Sequence, residues 1–290
     1  METDQKMLPL LAKLRNYWTL IKSLQTGLLT VTGIAGYMSA RCPVMHWTTM
    51  ATLILALLLS ISGSTVLNMW YDRDIDCVMN RTHHRPIARG VVSPREALTL
   101  GLILSLSGAA IALSMSTLFA LVILSGLFFD VVVYTILLKR KTCWSIVWGG
   151  IAGGMPILAG RALGMGQIDG IGILLSLSVL FWIPTHMLTF SIKYHEDYAA
   201  AGIPTFPSTY GDRVSHLTIA VSSIIAAALI GVSAVLIGVH QGYLHLMGIL
   251  SGILMVLCIL AVVKPSRRLN FGLFKYASVY MLAMMLALAL

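Results

Sequence analysis

Asn68, Asp72 and Asp76 stand four residues apart, and that spacing is the first chemical signal in the sequence. If a helix runs through them, each step of four residues turns about 400°, about 40° past a full turn, so the three side chains share one face. Asp74 falls between the two aspartates and points away. One amide and two carboxylates form a hard oxygen donor set suited to Mg²⁺, which keeps part of its water and commonly bridges to substrate phosphates. Arg81 and Arg85 follow, also four apart, and the planar fork of arginine matches phosphate oxygens. The competing reading is a solvated helix end in which Asp72, Arg73, Asp74 and Asp76 make local ion pairs. The apolar run before them favours function, because ionisable groups that close a membrane helix are costly.

A second charged segment runs from an apolar stretch into Lys193, His195, Glu196, Asp197 and Tyr198, and then into the turn residues Gly202 and Pro204. An acid here, brought near the first set, could hold a second Mg²⁺, and two metals would neutralise a departing diphosphate. The plainer reading is an interfacial cap. The run YTILLKRKT (134–142) adds Tyr134, Lys139 and Arg140 to the candidate phosphate and substrate contacts. Topology signals account for Lys139 and Arg140 equally well. His83 and His84 are adjacent and diverge on a helix, which argues against a metal pair. His186 follows Pro184 inside an apolar stretch; it either bonds a neighbouring helix or contacts a substrate such as haem. The small residues of GGIAGGMPILAG (149–160) allow close helix packing, with shaping of a cavity as the second reading.

These residues need a scaffold, and composition identifies it. Of 290 residues, 58% are hydrophobic and 11% charged, against about a quarter charged in a soluble domain. Lipid is therefore the solvent. The net charge of +9 fits anionic headgroups and a phosphorylated substrate rather than nucleic acid. Cys42, Cys77, Cys143 and Cys258 are scattered, so neither a disulfide framework nor a zinc site is expected. The first 17 residues are polar and mixed, with no cleavable signal peptide. A spanning helix needs about 20 apolar residues. That length predicts nine, near 18–40, 47–68, 96–116, 118–138, 144–163, 171–191, 216–238, 243–263 and 271–289.

The fold class is thus all-α, a single multi-pass cell-membrane domain over 1–290. On this layout, 18 of the 20 lysines and arginines fall on one side, with Arg41 and Arg161 on the other. The asymmetry predicts a cytoplasmic N-terminus and, after an odd number of spans, a C-terminus outside. The two longest loops, 69–95 and 192–215, share the cytoplasmic side and carry both acidic segments. Connections that only join helices run about 2–8 residues, so these two are the expected seat of chemistry.

The runs NMWYDRDID with RTHHRP, then YTILLKR, GGIAGGMP and DYAAAGIP, occur in an order that resembles the UbiA superfamily of intramembrane prenyltransferases. The likeness covers nearly the whole chain and is greatest to the branch that farnesylates haem. It implies a nine-helix bundle around a central cavity open to lipid and capped by the two acidic loops. It implies Mg²⁺ on Asn68, Asp72 and Asp76 with Asp197 as the second-loop acid, and diphosphate oxygens met by Arg81, Arg85, Lys139, Arg140 and Lys193. It also implies farnesyl diphosphate as donor and the vinyl group of haem b as acceptor. The chain departs from that branch at Ser23 and Leu24, which follow Lys22 where a K-P-R triplet is usual, and at Thr205 and Phe206 in A-G-I-P-M-L-P. Lys193 also stands four residues before Asp197, where many superfamily members have an acid. Two other acceptors stay open, a quinone precursor and an archaeal lipid phosphate. A transporter is the alternative of another class, but it should carry charge at the midplane or on broken helices, whereas these acids gather at one face.

Overall fold

A computed structural model describes residues 13–41 and 46–290; Cys42 and the first twelve residues lie outside this range. Every regular element among the described residues is helical. In chain order they are α1 (Ser23–Met38), α2 (Trp47–Tyr71), the short α3 (Arg73–Val78), α4 (Pro94–Met115) and α5 (Thr117–Leu138). There follow α6 (Ser145–Met165), α7 (Gly170–Lys193), the short α8 (His195–Ala200), α9 (Phe206–Ile237), α10 (Gln241–Val263) and α11 (Arg267–Ala289).

Eight of these helices are long and apolar enough to span a membrane. The ninth expected span, α1, has 16 residues. It is shortened because Lys22 takes a left-handed conformation (φ 45°), which breaks the helical path that residues 13–20 begin. The expected start of the seventh span near residue 216 also shifts, to Phe206. The reason is local. Thr205 caps the helix with Ser208 in a reciprocal box, and Pro207 sits in the first turn, where its missing N–H costs nothing. Gly211 (φ 82°) then kinks the path, so the loop expected over 192–215 is largely helix.

Two apolar cores hold the bundle. One joins α1, α2, α4, α5 and α6 around Leu53, Leu57, Phe119 and Ile123. The other joins α6, α7, α9, α10 and α11 around Ile219, Leu254, Leu273 and Met284. Lipid is as apolar as these side chains, so close van der Waals approach must bring the helices together. Glycine supplies it: a Cβ on Gly36 would lie 2.0 Å from the Ile157 carbonyl oxygen, and one on Gly160 would lie 1.9 Å from that of Gly33. Glycines of the 149–160 run thus pack α6 against α1 and α7, and the packing reading describes them. At the far end of α6, buried Arg161 binds Asp169 through Nε and Nη2 (2.8 and 2.7 Å) and the Ser39 carbonyl through Nη1 (2.7 Å). That network closes the end opposite the acidic loops.

Candidate active site

α2 ends at Asp72 (φ −85°, ψ 7°) and α3 resumes at Arg73. The helical register survives this bend. Asp72 N–H donates to the Asn68 carbonyl (3.0 Å) and Asp76 N–H to the Asp72 carbonyl (2.9 Å). Asn68, Asp72 and Asp76 are consequently buried together, while the Asp74 side chain is 61% exposed.

Each buried acid is held by a cation or an N–H from elsewhere in the chain. Lys139 Nζ forms an ion pair with Asp72, and Arg140 Nη2 stands 3.8 Å from its other oxygen. Arg85 Nη1 donates to both oxygens of Asp76 at 2.8 Å. Asp197 receives the backbone N–H of Arg81 at 3.0 Å, which ties the second acidic segment to the first. Apolar contact reinforces that tie, as Ile203, Tyr198 and Ala201 pack on Ile75 and Met79. The turn that delivers Ile203 needs φ 65° at Gly202, which glycine adopts without strain. Asn68 donates through Nδ2 to Thr135 Oγ1 (2.8 Å), which directs its carbonyl oxygen toward other partners.

The lysine arrives by an unusual winding. The second half of α5, Phe128–Leu138, is a π-helix, and Lys139 N–H bonds to the Tyr134 carbonyl at 2.8 Å. In an α-helix, residues five apart diverge by about 140°. Here Lys139 Nζ lies 5.9 Å from the Tyr134 ring centroid. Long π stretches are rare and occur at functional sites.

The other candidates are less uniform. Arg81 rests its guanidinium on Phe190 and Tyr194, 4.8 and 5.5 Å from the ring centroids, and its Nε is buried without a partner. Arg140 is drawn to Asp74 by two bonds of 2.7 Å, and this guanidinium holds the Asp74 carboxyl below the usual carboxylate range. Lys193 Nζ sits 3.8 Å from the Phe271 ring centroid; among the described residues it forms no ion pair with the acids. His186 is stacked between Trp182 and Phe274, and its Nδ1 lies 3.3 Å from Ser278 Oγ. Its visible role is to tie α7 to α11. Thr205 and Phe206, the departures noted above, are a helix cap and a packing partner of Trp144 and Tyr210.

Two further polar groups belong to this region and escaped sequence reasoning. Lys22, named there only beside the Ser23 and Leu24 departure, lies within electrostatic reach of Arg85, Lys139, Asp130 and Asp72. Asp130 accepts a hydrogen bond from Ser64. Each had a signal: a lysine at the mouth of an apolar run, and a lone acid inside one.

The donor chemistry fits a shared metal rather than a metal cage. Among the described residues no three acids, histidines or cysteines converge on one point. Asp72 Oδ1 is buried without a hydrogen-bond partner, an oriented hard oxygen beside the Asn68 amide. Mg²⁺ commonly takes one or two carboxylates and completes its shell with water and phosphate.

A family model described as the UbiA prenyltransferase family matches residues 29–286. The chain belongs to the UbiA prenyltransferase family. It is 37% identical over 277 residues to a protoheme IX farnesyltransferase of Aeropyrum pernix, covering 92% of this chain and 88% of the relative. It is 42% identical over 199 residues to one of Archaeoglobus fulgidus, covering 69% and 70%. Among solved structures, a digeranylgeranylglyceryl phosphate synthase superposes with TM-score 0.79 at 19% identity, covering 96% of this chain and 98% of the other. A UbiA homologue from Archaeoglobus fulgidus bound to GPP and Mg²⁺ superposes with TM-score 0.68 at 16% identity, covering 94% and 99%. At such identities these structures speak for the UbiA fold alone. Membership makes the chain a membrane prenyltransferase and sets the transporter reading aside.

Proposed function

We propose that this chain transfers the farnesyl group of farnesyl diphosphate to the vinyl group of haem b, with water completing a hydroxyethylfarnesyl product. The acceptor is carried by the likeness, over 92% of the chain, to a relative named for that reaction. The reaction type is supported by the paired cluster of Asp72 with Lys139 and Asp76 with Arg85 at one mouth of an apolar bundle.

Asn68, Asp72, Asp76 and Asp197 are the residues that would hold Mg²⁺, which when bound supplies Lewis-acid neutralisation of the diphosphate. A diphosphate entering the site offers Lys139, Arg85 and Arg81 a more highly charged partner than a carboxylate. The site is self-neutralised until that moment, so these side chains need little reorganisation to turn from acid to phosphate. As the allylic C–O bond ionises, negative charge gathers on the leaving oxygen, where fixed donors are worth about 100–1,000-fold each. Arg140 and Lys193, engaged by Asp74 and by Phe271, act from the rim. Tyr134, beneath Lys139, would line the path of the prenyl chain. The apolar helix walls keep bulk water from the allylic cation.

The distribution of basic residues supports placing this mouth at the cytoplasmic face, with the C-terminus outside. The test is mass spectrometry of the product formed by purified protein from farnesyl diphosphate, Mg²⁺ and haem b. The expected product is haem carrying one farnesyl group and one added water. A protein that leaves haem unchanged and prenylates a phenol or a lipid phosphate would overturn the haem reading.

A further inference from the structure

One carboxylate near the site has no part in the chemistry above. Asp130 lies inside α5, a span that otherwise contains no charge from Thr117 to Leu138. It occupies the first turn of the π-wound segment. Among the described residues no cation pairs with it. Its carboxylate accepts a hydrogen bond from Ser64 Oγ, and its backbone carbonyl accepts one from Thr135 Oγ1 at 2.7 Å. Ionisable groups at such depth are costly and face a bundle interior or a pathway. Asp130 faces inward, because Ser64 is a buried residue of α2 and Lys22 of α1 is within its electrostatic reach.

Depth is the informative quantity. Ser64, Asn68 and Asp72 continue one four-residue series along α2. Ser64 therefore lies about 6 Å below Asn68 and about 12 Å below Asp72, at 1.5 Å per residue. Thr135 joins the levels, receiving Asn68 Nδ2 and donating to Asp130. The diphosphate belongs at the level of Asp72. The carbon that leaves it is one bond from the diphosphate oxygen, and the acceptor carbon stands about 3 Å beyond that carbon. The neighbouring vinyl carbon, the water that attacks it and a base within hydrogen-bond reach of that water extend the series by two further contacts of about 3 Å each, to roughly the level of the Asp130 carboxylate.

The proposed reaction needs a proton acceptor there, and this inference rests on that reading. When the vinyl π electrons form the new C–C bond to the allylic carbon, positive charge is left on the vinyl carbon next to the porphyrin. A water lone pair then forms the C–O bond, and one water O–H bond must break. We propose that Asp130 is the catalytic base that takes this proton, with Ser64 orienting its carboxylate. The product keeps the hydroxyl, Asp130 becomes neutral, and the proton returns to solvent through the polar mouth. Without that base the added water is lost again from the oxonium, and the released diphosphate instead takes a proton from the neighbouring CH₂, which closes the cation to an alkene lighter by one water.

The experiment compares wild-type protein with Asp130→Asn and Ser64→Ala, using farnesyl diphosphate, Mg²⁺ and haem b, and reads diphosphate release and product mass separately. Wild-type protein that makes no farnesylated haem overturns the proposed function, and the inference with it; that result needs no variant. Given hydrated product from wild type, Asp130→Asn should release diphosphate within a few-fold of wild type. The ratio of hydrated to dehydrated product should fall by about 100-fold, the lower end of what a positioned base contributes. An unchanged ratio overturns the inference, and so does loss of diphosphate release in a folded variant, which would place Asp130 in ionisation or packing. If Asp130→Asn does not fold, Ser64→Ala decides. A smaller shift toward the dehydrated product supports the assignment, and a wild-type ratio refutes it.

Discussion

Removing the carboxylate of Asp72 should damage stability and catalysis by separable mechanisms. Asp72 is 1% exposed and paired with a Lys139 side chain that is 17% exposed. Asp72→Ala leaves that ammonium largely buried without its counter-charge. Breaking a buried pair from one side costs about 3–5 kcal/mol; the partial exposure of Lys139 and the second carboxylate contact of Arg140 elsewhere put the expected loss near the lower end, about 3 kcal/mol. Replacing both partners, as in Asp72→Asn with Lys139→Met, removes the orphaned charge, and such replacements are often neutral in stability. Activity should not follow. The double variant exchanges a charged carboxylate ligand for a neutral amide and lacks one fixed donor to the leaving diphosphate, each a transition-state contribution of several kcal/mol or about 100–1,000-fold. Thermal unfolding in detergent and Mg²⁺-dependent diphosphate release are measured on the three proteins. The single variant should unfold early, while the double variant should unfold with wild type yet turn over at least about 1,000-fold more slowly. A double variant with near wild-type turnover would refute the assignment of this pair to the diphosphate. A fully stable single variant would refute the claim that the pair is buried and mutually dependent.

Asp74→Asn should lower turnover by no more than a few-fold, since Asp74 is the exposed member of the triplet and binds Arg140 at the rim. Because Arg140 depresses the Asp74 pKa in the folded protein, the stability it contributes is present above the ordinary carboxylate range and is lost as pH falls through the lowered value; unfolding of the variant and wild type should therefore show the same pH dependence above about pH 5, given an ordinary aspartate near 3.9. Gly160→Ala should cost at least about 1–3 kcal/mol in detergent unfolding, because the new Cβ would meet the Gly33 carbonyl oxygen at 1.9 Å and the Tyr37 nitrogen at 2.9 Å, all backbone that cannot step aside; a neutral result would contradict the α1–α6 approach. A reporter fused after Leu290 should read outside, and one inserted among residues 79–92 should read cytoplasmic; the opposite pair would overturn the proposed orientation.

The spans and the acidic face were legible because both depend on short-range pattern. A run of apolar residues must be helical in lipid, where every backbone group has to be bonded internally. A four-residue repeat of Asn68, Asp72 and Asp76 shares a face wherever the register holds, and it holds even across the bend at Asp72. Charge asymmetry and the family motifs likewise lie along the chain. Which cation meets which acid does not, since these partners are far apart in sequence and one helical step changes them. Sequence grouped Arg140 and Lys193 with the other phosphate contacts; packing instead gave Arg140 to Asp74 and Lys193 to Phe271. It gave Lys139 to Asp72 through a π-winding that no periodicity announces. Lys22 counted among the bases of one side and Asp130 drew no reading at all, until α1, α2 and α5 came together around them. The amino-acid sequence by itself determined a multi-pass membrane protein with its acidic segments at one face, because hydrophobic length and residue type are local quantities, and its ordered motifs gave the resemblance to a prenyltransferase family. Tertiary structure alone decided the pairing and depth of the charges, because in a low-dielectric bundle those follow from which helices glycine lets approach.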